Sequence, residues 1–154
     1  MRIYLMRHGE YNVNQDNLDI LTEKGINEIA ALSAFLQESK INISEIVHSE
    51  KNRTKEAATL IATALGEIGL SEHPYLSPEA DPEVFLAEIS NLTPDTLVVG
   101  HLPYLSRLVS LLILGNDSSV IIDFKPSTFV CLTQIRRDQW NIAFVWSPEL
   151  CGIQ

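Results

Sequence analysis

Cysteine is scarce: Cys131 and Cys151 are the only two in 154 residues, which excludes a small disulfide-stapled framework and a cysteine-rich zinc module. Both are read as free thiols. Cationic residues are also few, with 11 Lys and Arg against 20 Asp and Glu and a formal net charge of −9. A diffuse basic surface of the kind that holds nucleic acid is therefore absent, and any anion site must be a local island. No apolar run is long enough to span a bilayer, and the N-terminus lacks a basic segment followed by an apolar stretch and a small-residue cleavage site. A cytoplasmic location is expected. There is no internal repeat, low-complexity tract or Gly/Ser linker, so residues 1–154 are expected to form one domain.

The chain is 45% hydrophobic, enough to bury a core at this length. The apolar run Ile3 to Met6 is followed at once by Arg7, His8 and Gly9, so a buried strand hands a guanidinium, an imidazole and a permissive glycine to one loop. A second run, Asp95 to Val99, ends in Gly100, His101, Leu102 and Pro103. A third, Ile43 to His48, leads into Ser49 and then Arg53 at the start of an alanine-rich segment. Ligands of open α/β sheets bind outside the carboxyl ends of parallel strands, so three such strand ends would converge on one place.

Helical spacing of apolar residues predicts helices over 22–37, with Thr22 as cap, over 51–65, and from Pro103 to Gly115; a short one is expected over 83–92. Strands are predicted at 120–124, 128–135 and 141–145, with short connections that imply hairpin pairing. Strands alternate with helices in the first half. The expected architecture is a three-layer α/β/α sandwich around a mostly parallel sheet, with short antiparallel strands at its C-terminal side.

Arg7-His8-Gly9, Ser49 followed by Arg53-Thr54, and Gly100-His101 resemble the three signature segments of the histidine phosphatase (phosphoglycerate-mutase-like) superfamily, and Leu21-Thr22-Glu23-Lys24-Gly25 resembles its turn into the first helix. The resemblance runs through nearly the whole chain in the family's order. Short length and the Gly100-His101-Leu102-Pro103 segment look most like the SixA-type phosphohistidine phosphatases.

The chemistry of these residues agrees with that resemblance. A neutral imidazole attacks phosphorus, which assigns the nucleophile to His8. Fixed cations stabilise the charge that spreads over the equatorial oxygens, a role for Arg7 and Arg53. His101 is expected to be protonated and to donate to the same group. The resemblance also implies a phosphate contact for Asn14. His48 and His73 are left outside the site. No histidine pair has zincin spacing and two arginines would repel a cation, so neither a metal nor a cofactor is expected.

Alkyl phosphate esters need an acid to protonate the leaving oxygen; Glu79 and Glu83 lie in the interval between Arg53 and Gly100 where related esterases carry one, but neither sits in a recognisable motif. The acid is left unassigned. A phosphoramidate such as phosphohistidine leaves as an imidazole bearing its own proton, and the same interval is too short to hold an inserted cap. The expected activity is dephosphorylation of phosphohistidine on a protein partner. A small-molecule phosphomonoesterase using Glu79 or Glu83 is the alternative within the family, and a non-catalytic phosphate-binding module is the alternative outside it.

Overall fold

A computed structural model describes residues 1–153. Strand β1 (Arg2–Arg7) lies inside a six-stranded sheet, and Ile3 to Met6 are fully buried because helices cover both faces. A hairpin of β2 (Tyr11–Val13) and β3 (Asp19–Leu21) follows, then α1 (Glu23–Glu38), β4 (Glu45–His48), α2 (Asn52–Ala64) and the edge strand β5 (Leu70–Glu72). The second half runs α3 (Pro82–Glu88), β6 (Thr96–Gly100), α4 (Tyr104–Leu114), β7 (Phe129–Arg136) and β8 (Gln139–Trp146).

The sheet order is β5-β4-β6-β1-β7-β8. β5, β4, β6 and β1 pair in parallel, while β7 and β8 join antiparallel. Alternate strand residues feed two cores. Tyr4, Met6, Leu97 and Val99 pack under α1 and α2 with Ile29, Leu32, Ala58 and Ile61; Ile3, Leu5 and Val98 pack under α3 and α4 with Phe85, Leu105, Leu108 and Leu112. Each large apolar side chain so buried contributes roughly 1.5–3 kcal/mol. This is the expected three-layer α/β/α sandwich with a mostly parallel sheet.

Local chemistry sets the helix ends. Thr22 Oγ1 accepts the Gly25 N–H at 3.1 Å and caps α1, Asp81 accepts the Glu83 N–H and caps α3, and Gly115 closes α4 at φ 74°. The predicted helix over 83–92 is shorter, ending at Glu88 before a 3₁₀ turn over Ile89–Asn91.

The strand expected over 120–124 does not form: β1 already has β6 on one side and β7 on the other, so this segment finds no free edge beside it. It buries Ile122 and Phe124 as an irregular crossing, leaves Val120 80% exposed, and offers the Phe124 carbonyl to Arg7. The β2–β3 hairpin and β5 carry no sequence signal of their own. Each strand is three residues long, too short for alternation to register.

Candidate active site

The site lies where β1, β6 and β4 end. Their parallel registers place Arg7 opposite Gly100, and Val99 between Met6 and His48, so His8, His101 and Ser49 leave the sheet side by side. The His8 and His101 rings are 5.3 Å apart between centroids, and only 4% and 1% of these residues is exposed.

His8 is held through both its backbone and its ring. Its backbone N–H donates to the Gly100 carbonyl at 3.1 Å, and ring Nδ1 lies 2.8 Å from the carbonyl oxygen of Gly9. A carbonyl can only accept, so Nδ1 carries the hydrogen and Nε2 of the neutral ring presents its lone pair. Arg53 Nε points at that lone pair from 3.3 Å. Burial, reinforced by Arg53 and Arg7, pushes the imidazole down to about 4. The ring is therefore neutral at physiological pH, as nucleophilic attack requires.

His101 is held by Ser49. Its Nε2 bonds Ser49 Oγ, which also contacts Thr54 Oγ1 at 2.8 Å and accepts the Lys51 N–H at 3.2 Å. Burial first, then Arg53 and His8, drive the ring down to about 3. The protein's own groups thus make it neutral, and a protonated His101 requires the negative charge of a phosphoryl group beside it. Nδ1 of His101 is buried with no protein partner, and so is the atom left for a ligand.

The two guanidiniums come from different elements, Arg7 from the end of β1 and Arg53 from the start of α2. Arg7 Nη1 donates to the Phe124 carbonyl at 2.7 Å, while its buried Nε has no partner within the protein. Burial lowers its pKa. Arg53, in the first turn of α2, lies 4.7 Å above the Tyr11 ring and forms an ion pair with Asp19. Tyr11 also meets the His8 ring edge-on at 5.2 Å. Two buried nitrogens, on Arg7 and His101, have no protein partner, a costly state for buried polar atoms; the Arg7 N–H is a donor and His101 Nδ1 becomes one when that ring is protonated, so the chemistry suits an oxyanion.

The structure thus brings Arg7, His8, Arg53 and His101 together. Asn14 fastens the β2–β3 turn: its side-chain oxygen accepts the N–H groups of Asp16 and Leu18, both at 2.9 Å, bonds that leave its side-chain N–H groups uncommitted. Among the described residues, no hydrogen bond joins it to the other four. Glu83 lines a cavity with Met1 and Trp140 at the opposite end of β1, which removes it as an acid for this site. Glu79 is exposed. His48 is buried beside Ser49, with Nδ1 2.8 Å from the Ser49 carbonyl, and His73 contacts Ser71. No group of three or more His, Cys, Asp or Glu is placed to hold a metal among the described residues, and no helix is long and apolar enough to cross a membrane.

Sequence reasoning missed Asp19, Tyr11 and the anchoring role of Ser49. Only Ser49 left a signal, its fixed distance from Arg53. Asp19 reaches the pocket through a hairpin that no periodicity announces.

Residues 3–78 match the model of the histidine phosphatase superfamily (branch 1), a stretch that includes Arg7, His8 and Arg53 and ends before His101. No protein of curated function matches the sequence. Among solved structures, the fold is similar to the protein histidine phosphatase SixA complexed with tungstate, with TM-score 0.85 and 21% identity over 100% of both chains. It is also similar to a SixA from Agrobacterium tumefaciens, with TM-score 0.78 and 21% identity over 96% of this chain and 97% of that one. An alpha-ribazole phosphatase from Shigella flexneri gives TM-score 0.76 and 19% identity, again over 96% and 97%.

Proposed function

We propose that this chain, which belongs to the histidine phosphatase superfamily, is a phosphatase in which His8 is the nucleophile and protein-borne phosphohistidine the substrate. The observation that carries the reading is the His8 ring: Nδ1 is pinned to the Gly9 carbonyl and Nε2 is a buried lone pair. A structural histidine has no need of neighbouring guanidiniums and a second imidazole 5.3 Å from its ring.

In the first step Nε2 of His8 forms a bond to phosphorus as the substrate's bond to its leaving nitrogen or oxygen breaks, and Nδ1 keeps its proton. A leaving imidazole departs with the proton it already carries, whereas a leaving ester oxygen has to take one from an acid. Arg7, Arg53 and His101 hold the oxygens, and His101 becomes protonated as the phosphoryl charge arrives. Water then attacks phosphorus, the electron pair of the P–N bond returns to Nε2, and phosphate is released with one of the water's protons while the other passes to solvent. No step needs a metal or cofactor. The chain works as one domain, in the cytoplasm.

Two features support phosphohistidine over an ester. Glu83 stands at the far end of the sheet and Glu79 on an exposed loop, so neither is a supported acid for an alkoxide, whereas a protonated imidazole leaves unaided. Between α2 and β6 the chain holds only β5, α3 and two 3₁₀ turns, with no segment to enclose a metabolite. The likeness to an alpha-ribazole phosphatase keeps a small phosphomonoester as the second reading. The test is to incubate a phosphorylated histidine-phosphotransfer domain with the protein, in parallel with alkyl and aryl phosphates. Phosphate release from the domain at a much higher kcat/KM supports the proposal; preference for the alkyl ester overturns it.

A further inference from the structure

Asp19 opens β3, and the hairpin leans on α2 through three contacts. The Asn52 side chain donates to the Asp19 backbone carbonyl, Glu56 accepts the Leu21 N–H at 2.9 Å, and the Asp19 carboxylate takes Nη1 of Arg53. Arg53 is thereby engaged on three sides, by Asp19, by His8 Nε2 at 3.3 Å and by the Tyr11 ring at 4.7 Å. The pair is largely withdrawn from solvent, at 15% and 21% side-chain exposure. Nothing in histidine-based phosphoryl transfer calls for a carboxylate there. A negative charge beside an oxyanion site lowers anion affinity, and a withdrawn one is weakly screened.

We propose that Asp19 is a specificity-determining residue: a counter-ion that a phosphoryl oxygen must displace from Arg53, and whose charge favours phosphoryl groups on a protonated nitrogen over dianionic phosphate esters. The proposal rests on the phosphoryl-binding reading above and deepens it. With both imidazoles neutral, two guanidiniums against one carboxylate leave the pocket one positive charge. An ester dianion meets the full repulsion of Asp19. A phosphohistidine whose ring is protonated brings a cation next to its phosphoryl group, and attraction between that cation and Asp19 offsets the repulsion. Discrimination of this kind works by penalising the wrong ligand.

The test compares wild type with Asp19→Asn, which keeps an acceptor for Arg53 but removes the charge, and with Asp19→Ala, which removes both. Calorimetric titration with tungstate and with inorganic phosphate is expected to show roughly five- to tenfold tighter binding in both variants, the size of a partly exposed ion pair. The ratio of kcat/KM for a phosphorylated histidine-phosphotransfer domain to that for p-nitrophenyl phosphate is expected to fall about tenfold in Asp19→Asn. Weaker or unchanged anion binding in Asp19→Asn, or an unchanged ratio, overturns the proposal. Weaker binding in Asp19→Ala alone would make Asp19 a strut for Arg53 and overturn it as well. Tighter anion binding in a protein that hydrolyses neither substrate would uphold the counter-ion and overturn the catalytic reading instead.

Discussion

Gly25→Ala tests how the loop that carries His8 is positioned. Gly25 sits in the first turn of α1, where its N–H is bound by Thr22, and its α-carbon faces the backbone of the His8 loop. A Cβ there would fall on the carbonyl oxygen of Glu10 and lie 3.0 Å from the Glu10 nitrogen; a Cβ on Gly9 would in turn lie 3.2 Å from the α-carbon of Gly25. The two backbones are therefore in direct contact, and backbone cannot rotate aside. Overpacking of this sort costs about 1–3 kcal/mol. Alanine returns about 1 kcal/mol of helix propensity over glycine, leaving a net loss of up to about 2 kcal/mol. For a chain of this size that is a fall in Tm of up to about 8 °C. The larger effect is on catalysis, because the displaced segment holds the Gly9 carbonyl that fixes the His8 tautomer. A shift near 1 Å can cost about 100-fold in rate, and a loss of at least about tenfold in kcat is expected. Thermal unfolding together with steady-state hydrolysis of p-nitrophenyl phosphate reads both. A Gly25→Ala protein with wild-type Tm and kcat would refute the claim that this glycine sets the loop.

Acid should destabilise the fold through its two site histidines. His8 lies at about 4 and His101 at about 3 in the folded chain, against about 6.5 when unfolded. Across roughly pH 3 to 6.5 the unfolded chain binds more protons, so stability is full above that window and falls as pH drops through it, by on the order of a few kcal/mol. Urea midpoints measured from pH 8 to 4 should show this loss, and a His8→Asn variant should show less of it; equal slopes would count against buried neutral rings. Ser49→Ala strips His101 Nε2 and Thr54 Oγ1 of their shared partner and should cost about 1–3 kcal/mol together with a drop in kcat. Stability within about 0.5 kcal/mol of wild type and unchanged turnover would show that Ser49 does not anchor the ring.

Long periodic segments are legible in the amino-acid sequence. Ile29 and Leu36 on α1, and Leu105, Leu108, Val109 and Leu112 on α4, face the cores as their spacing implies, while Ile26 and Ala30 on α1 face outward. Arg7, His8, Arg53 and His101 are legible because each stands at a strand end or in a helix's first turn, positions that chain pattern marks. What escapes is set by tertiary competition. Val120 to Phe124 reads as a strand until β7 takes the neighbouring edge of β1. The oxygen of Asn14 fastens the turn that presents Asp19, a role that its distance from His8 does not reveal. The protonation of His101 depends on burial and on Arg53, neither of which its own position along the chain reveals.

The central claim is that His8 Nε2 takes the phosphoryl group. Rapid mixing of the protein with a ³²P-labelled phosphohistidine domain, alkaline quenching and peptide mapping should recover the label as an acid-labile, base-stable adduct on the peptide containing His8, and His8→Ala should carry none. Turnover by wild type with no label on that peptide at any quench time, or label persisting in His8→Ala, would contradict it.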